Sequence, residues 1–510
     1  MATLVQELLA LAILYAALHY LVPIILPSKR ASPALPPGPR GYPVVGVLPL
    51  LGRAPHRSLA ALARLHGPIM HLTLGKQRVV VASTPDSARL FLKDHGGSFL
   101  DRPADDAAPM LLAYGAKDLV FAPYGPKWRR LRRECSLGLL GPQALADWAD
   151  TRRQEVGQMV QAVLSRHGQE VEVPALLFCA MANMIGQAVV GRRVFADAGG
   201  EAAREFKEMV VELMTTAGFV NIGDFVPAVA WMDLQGLGRR MRRLATRLDK
   251  AWSRLLSDHE AAMAARQKEE GSSRPDLVER LIACRDGARE DGVTDLNIKA
   301  LLNNLFTAGT DTSSSTIEWA LAEMLVNPAI LRRAQAEMDA VVGRDRLLQE
   351  SDIPNLPYLG AICKETFRKH PSTPLNLPRV STEPCQVQGY HIPKGTRLIV
   401  NIWAIGRDPA VWPDPSRFDP DRFMTEKGKK LEPMGNHFEL IPFGAGRRIC
   451  AGARMGVALV HHMLGALVHA FDWEGAAGMD MDEEFGLALQ KKVPLRAIAR
   501  PRLAAAAYNS

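Results

Sequence analysis

The sequence predicts a mainly α-helical body with small β-sheets at its margins, preceded by a single N-terminal transmembrane helix. Three observations predict it. The first is a near-continuous apolar run from Leu8 to Leu26. The second is helical periodicity from about Lys127 to Asn327, rich in Ala, Leu, Met and Glu and poor in Pro. The third is a change of texture after Pro371 to short, Pro- and Gly-punctuated strands and loops.

The apolar run is broken only by His19, two tyrosines and Pro23, and its 19 residues span about 28 Å as a helix, the thickness of a bilayer core. Glu7 precedes it and Lys29 and Arg30 follow it. This lacks the basic start of a cleaved signal, and the positive-inside rule puts the rest of the chain in the cytosol. No second span of this quality follows. The segment PALPPGPRGYPVVGVLP is next, and its prolines fix φ and block helix continuation. The boundaries read 1–27 membrane anchor, 28–49 proline-rich hinge and 50–510 body.

Within the body, Pro68–Pro85 alternates apolar and polar residues about Gly75-Lys76-Gln77, a hairpin pattern. Lys268–Pro275 reads as an exposed loop. A last helix is expected over Ala451–Phe471, with a short β segment near Gly486–Val493. With 510 residues, 47% hydrophobic and 23% charged, the chain can bury a large core. Six cysteines without paired spacing exclude a disulfide scaffold and a CxxC zinc frame. The net charge of +8 is mild, and no nucleic-acid module accompanies it, which excludes nucleic acid as a partner. The cluster Arg239, Arg240, Arg242 and Arg243 is a solvated helix face or a contact with an anionic membrane or an acidic partner.

Four motifs carry chemistry. Phe443-Gly-Ala-Gly446-Arg-Arg448-Ile-Cys450-Ala-Gly452 is a Gly-rich loop leading into a helix. Its cysteine suits a packed thiol, a nucleophile or a metal ligand, and a helix N-terminus favours the thiolate. Gly446 permits a tight turn, Gly452 lets the helix approach a flat partner, and Arg448 can pair with an anion. Ala308-Gly309-Thr310-Asp311-Thr312-Ser-Ser-Ser-Thr316 places many weak helix formers inside a helix, where local preference yields either to packing or to function. Glu365-Thr-Phe-Arg368 sets an acid and a base one turn apart. Trp128-Arg-Arg-Leu-Arg132 does the same for an indole and a guanidinium.

The cysteine loop resembles the haem-binding signature of the cytochrome P-450 family, and the other motifs follow in family order. The resemblance implies the cytochrome P-450 fold, with 50–510 as a haem-thiolate catalytic domain and haem b as the cofactor. Cys450 is then the axial iron ligand. Trp128, Arg132 and Arg379 would bind the haem carboxylates, with Phe443, Gly446, Arg448 and Gly452 forming the rest of the cradle. In the family the Ala308-Gly309 step opens the helix for dioxygen, and Asp311 and Thr312 relay protons. Arg422 joins Glu365 and Arg368 in a buried network, although Asp421 stands where the family usually has Glu. Arg129, Arg130 and Arg133 would point outwards.

Within the family the chain is similar to the plant flavonoid B-ring hydroxylases, through Thr307–Trp319, His370–Arg379 and Gly486-Leu-Ala-Leu-Gln490. Ala488 stands where the 3′-hydroxylating group tends to have Thr, which places the chain with the 3′,5′ group. Thr373, Leu375, Ala308, Gly309 and Ala488 are expected to face substrate. The resemblance also implies electrons from NADPH through NADPH–cytochrome P-450 reductase, a flavanone, dihydroflavonol or flavone as substrate, and a single-pass location in the endoplasmic reticulum membrane. A flavonoid 3′-hydroxylase, another plant phenolic monooxygenase, a haem-thiolate isomerase or dehydratase, and a non-catalytic haem-binding membrane protein are the alternatives.

Overall fold

The computed structural model describes residues 34–509 apart from 197–198, 267–274, 287 and 476–477. The anchor expected over 1–27, and most of the loop expected at 268–275, lie outside the described residues. Helices dominate, and they are named here in chain order together with the strands: α1 (Pro55–His66), β1 (Ile69–Leu74), β2 (Gln77–Ala82), α2 (Ala107–Leu112), α3 (Pro126–Cys135), α4 (Ala149–Leu164), β3 (Glu170–Glu172), α5 (Val173–Val190), α6 (Glu201–Gly218), α7 (Leu237–Arg266) and α8 (Leu277–Ala283). The central helix α9 (Asp295–Val326) follows, then α10 (Pro328–Val341), α11 (Pro357–Lys369), β4 (Arg379–Val380), β5 (Cys385–Val387), β6 (Tyr390–Ile392), β7 (Arg397–Val400), α12 (Ala453–Ala470), β8 (Phe471–Gly475), β9 (Glu483–Glu484), β10 (Gln490–Lys491) and β11 (Arg496–Pro501).

The expected hairpin forms as β1 and β2, with Leu74 opposite Gln77 across the turn at Gly75, whose φ is +53°. It belongs to a four-stranded sheet in the order β1-β2-β7-β4, where β2 and β7 run parallel. A second sheet, β3-β11-β8, and the two-stranded pairs β9–β10 and β5–β6 make up the other sheets among the described residues. The hinge residues from Ala34 onward bridge two sheets: His71 of β1 donates its N–H to the Pro37 carbonyl and His391 of β6 donates to Ala34, both at 2.9 Å. Val47 is wholly buried among Leu51, Leu72 and Val79.

The helix α9 starts where Thr294 caps it, accepting from the Asn297 N–H, and runs 32 residues through the middle of the molecule. It is buried on nearly every side, packed by α5, α11 and α12. The helix α5 explains how such burial is built. Among the described residues it is the one helix long and apolar enough to cross a membrane, and 89% of it is buried inside the protein. An element that is hydrophobic all round is a core helix when other elements surround it, and α5 fills that place between α4 and α9.

Candidate functional site: a cysteine loop beneath an arginine cluster and a central helix

Cys450 sits two residues before the Gly452 cap of α12. Its N–H donates to the Phe443 carbonyl at 3.0 Å, closing the loop. Gly446 has φ +71°, and a Cβ there would meet the Leu92 carbonyl oxygen at 2.3 Å, so only glycine fits. Phe443 packs edge-on against Phe367 of α11 and beside Gly456 of α12. Arg132 donates from Nη1 to the Ile449 carbonyl at 2.8 Å, and Arg379 donates to Ala445 at 2.7 Å. The loop is thus held from two sides by guanidinium groups.

The side chain of Cys450 is accessible although it lies deep in the protein, so it lines an interior cleft. Burial pushes its thiol above the ordinary value, against the pull of the Gly452 N–H and the Arg132 charge. The helix terminus expected to favour the thiolate is therefore outweighed by desolvation, and a bound cation reverses that balance, because coordination deprotonates a thiol. Cys135, in α3, is a buried core thiol pushed up to about 12.

Beside the loop stand three buried arginines, Arg102, Arg379 and Arg448. Burial lowers all three, Arg379 and Arg448 to about 10; neighbouring guanidinium charges add to it, Arg379 and Arg448 on Arg102, Arg448 on Arg379 and Arg132 on Arg448. Arg448 donates to the carbonyls of Leu100 and Ala122 at 2.9 and 2.7 Å, and Arg102 donates to those of Leu377 and Pro378. Even so, Nε and Nη1 of Arg379, Nη1 of Arg448 and Nε of Arg102 are buried without a hydrogen-bond partner. Unpartnered cationic donors at such density are costly unless an anion meets them. The cluster fits a group with carboxylates at its edge and a thiolate-seeking metal at its centre, and haem answers both requirements.

Trp128 differs from expectation. Its indole N–H donates to the Leu119 carbonyl at 2.9 Å, so this donor braces the chain ahead of α3 rather than facing a carboxylate. Its ring lies under the Arg448 guanidinium at 4.5 Å. Arg130 also departs from the outward reading: it pairs with Asp291 at 3.1 Å and reaches the Cys284 sulfur at 3.2 Å. Arg102, in Asp101-Arg102-Pro103, was not singled out from the sequence, since one arginine in a loop carries no local signal.

The helix α9 carries the weak helix formers as buried or half-buried residues. Thr307, Thr310 and Thr312 each donate a hydroxyl to the carbonyl four residues back, at 2.5, 2.5 and 2.6 Å. Such back-bonding lets small polar side chains sit inside a buried helix. Asp311 is buried, and Gln490 donates to its Oδ1 at 2.6 Å while Oδ2 has no partner. Desolvation raises its carboxyl to about 6, against that hydrogen bond and the charge of Lys207.

An apolar cavity is lined by Ala308 and Thr312 of α9, together with Leu213, Thr373, Leu377 and Ala488. Two expected substrate-facing residues lie elsewhere. Leu375 packs with the core cluster under β1 and β2, and Leu377 takes its place at the cavity, because Asn376 between them has φ +51° and turns the chain. Gly309 faces α5, where an added Cβ would come within 2.8 Å of the Ile185 methyl, so this glycine serves helix–helix approach. We expect Gly309→Val to lower thermal stability by about 1–3 kcal/mol through overpacking, measurable as a shortened half-life on heating, with Ile185→Ala restoring part of the loss.

Behind the loop, Arg368 grips Glu365 through two bonds of 2.6 and 2.7 Å, and both side chains are fully buried. Arg422 approaches the same carboxylate at 3.5 Å, and the Asp419 N–H donates to it at 2.8 Å. Arg368 also donates to the carbonyls of Gly406, Pro415 and Arg417, which ties α11 to the segment ahead of the cysteine loop. Asp421 turns outward and pairs with Arg333 at 2.8 Å, both half exposed, so the network does not use it.

This geometry is matched by known proteins. A family model described as Cytochrome P450 matches residues 36–496. A relative from Campanula medium named flavonoid 3′,5′-hydroxylase is 54% identical over 525 aligned positions, covering 100% of this chain and 99% of the relative. A relative from Petunia hybrida named flavonoid 3′-monooxygenase is 47% identical over 518 positions, covering 99% and 100%. A solved zebra fish cytochrome P450 with progesterone superposes with a TM-score of 0.74 at 25% identity, over 88% of this chain and 99% of that one. With the cysteine loop, the arginine cluster and the notched central helix set together as described, and with a family match of this extent, the chain belongs to the cytochrome P450 family.

Proposed function

We propose that this haem-thiolate monooxygenase hydroxylates the B ring of a 4′-hydroxylated flavonoid at C3′ and then at C5′. The observation that carries the reading is the small, buried Ala488 in the wall of the cavity that Ala308 and Thr312 also line. The nearer likeness to the Campanula relative than to the Petunia one supports the double hydroxylation over the single. Haem, when bound, supplies dioxygen activation and oxygen-atom transfer. Cys450 would ligate its iron, and Arg102, Arg132, Arg379 and Arg448 would hold its carboxylates. The cavity side chains exclude water and orient the ring. Asp311 Oδ2 holds a proton and passes it towards the Thr312 hydroxyl. Electrons come from NADPH through NADPH–cytochrome P-450 reductase, with the anchor of residues 1–27 seated in the endoplasmic reticulum membrane and the body in the cytosol.

The reading is tested by incubating the full chain with reductase, NADPH and a 4′-hydroxyflavanone and counting the hydroxyls added. Two are expected, and omission of NADPH or reductase should abolish both. Product formed without either would instead favour an isomerase or dehydratase.

Ala488→Thr narrows the space above a ring that already carries two hydroxyls. A pocket change of this size discriminates by about 10- to 200-fold. We expect the second hydroxylation to fall by at least about tenfold relative to the first, read as accumulation of the dihydroxylated B ring. An unchanged product ratio in the folded variant would show that Ala488 does not set regiochemistry.

A further inference from the structure

Adding one oxygen atom of dioxygen to a substrate and releasing the other as water consumes two electrons and two protons per turnover. Asp311 carries one carboxyl, so it must be reloaded within each cycle. Its surroundings hold a second buried acid that the reading above does not use. Glu318 lies seven residues further along α9, two turns on and on the same face, and Ser315 sits between them, one turn from each. All three are buried, with 5%, 4% and 5% exposure for Asp311, Ser315 and Glu318.

The segment from Leu489 to Leu495 runs along this stripe and contacts each member. Gln490 donates to Asp311 at 2.6 Å, Ser315 donates to the Leu489 carbonyl at 3.2 Å, and the Leu495 N–H donates to Glu318 Oε1 at 2.6 Å. The groups facing Glu318 are Lys491 from β10, Lys207 from α6 and Asp311 on its own helix. Lys207 acts on both acids, and it reaches the surface, where it pairs with Glu172 at 2.6 Å and is about one-fifth exposed.

We propose that Glu318 is the proton reservoir behind Asp311, resupplying it along the buried polar stripe of α9. The proton leaves the Glu318 carboxyl, passes the Ser315 hydroxyl and arrives at the unpartnered Oδ2 of Asp311. Glu318 regains a proton from solvent at the Lys207–Glu172 edge. No bond other than O–H changes, and no electron moves. Glu318 acts through Asp311 and does not touch the reacting atoms.

Burial raises the Glu318 carboxyl to about 7, and the Asp311 charge adds to the rise. It is therefore loaded below about pH 7 and empty above, so coupling should fall as pH rises through that value. The inference rests on the monooxygenase reading, and its test has two arms. In the first, infrared titration of the purified full chain, without substrate or reductase, should show a protonated-carboxyl band lost near pH 7. Glu318→Gln, which keeps an acceptor for the Leu495 N–H, should delete that band while Glu172→Gln keeps it. A band unaffected by Glu318→Gln overturns the proposal whatever the enzyme's substrate.

In the second arm, Glu318→Gln and Ser315→Ala should each raise peroxide release per NADPH at pH 6.5. Coupled turnover should drop on the order of tenfold, less than the roughly 100-fold or more that a group transferring the proton directly contributes, and the inflection near pH 7 should disappear. Wild-type coupling and pH profile in both variants would overturn it. Loss of turnover in wild type itself would instead fail the function reading, leaving the infrared result to decide the reservoir.

Discussion

Cys450→Ser should yield a folded protein whose ferrous carbonyl spectrum lacks the red-shifted band of a thiolate-ligated haem and whose hydroxylation is at background. The fold should survive because the loop closes through the backbone: the residue-450 N–H still reaches the Phe443 carbonyl, and Arg132 and Arg379 still hold Ile449 and Ala445. What is lost is the soft sulfur ligand, which coordination to a metal deprotonates. Serine at Cys135 or Cys363, both buried in apolar cores, should leave the band intact. A thiolate-type band persisting in Cys450→Ser would remove the loop from the site.

Glu365→Ala should give the largest loss of stability. It leaves the Arg368 guanidinium fully buried, with three carbonyl partners but no counter-charge. Breaking a buried pair in this way costs about 3–5 kcal/mol. Because Arg368 ties α11 to the segment ahead of the cysteine loop, haem retention should fall together with resistance to heat. A chain of this size is best followed as the half-life of folded protein at fixed temperature. Asp421→Ala is the matched control, since its pair with Arg333 is half exposed and such pairs contribute about 0–1 kcal/mol. Equal half-lives for the two variants would show that the buried network does not hold the loop.

Features whose cause is local were legible in the sequence. The hairpin at Gly75, the turn at Gly446 and the Glu365–Arg368 spacing each depend on a few neighbouring residues, and the structure forms all three. The central helix was legible because its periodic run is long. Orientation was not legible. Nothing in Pro374–Arg379 says that the chain turns at Asn376 and offers Leu377 to the cavity in place of Leu375. The Trp128 donor and the packing role of Gly309 depend on which surface meets them, Leu119 in one case and Ile185 in the other. Arg102 joins the arginine cluster only through tertiary folding. The apolar run of α5 becomes a core helix because α4 and α9 enclose it.

The central claim is that Cys450, the arginine cluster and the Asp311–Thr312 face of α9 together insert atoms of dioxygen into one flavonoid ring. It is tested most directly by supplying the full chain, reductase and NADPH with a 4′-hydroxyflavanone under isotopically labelled dioxygen, and reading the label in the product by mass spectrometry. Two new B-ring hydroxyls are expected, each carrying one labelled oxygen, with the intermediate carrying one. New hydroxyls bearing oxygen from water, or a product rearranged without added oxygen, would contradict it.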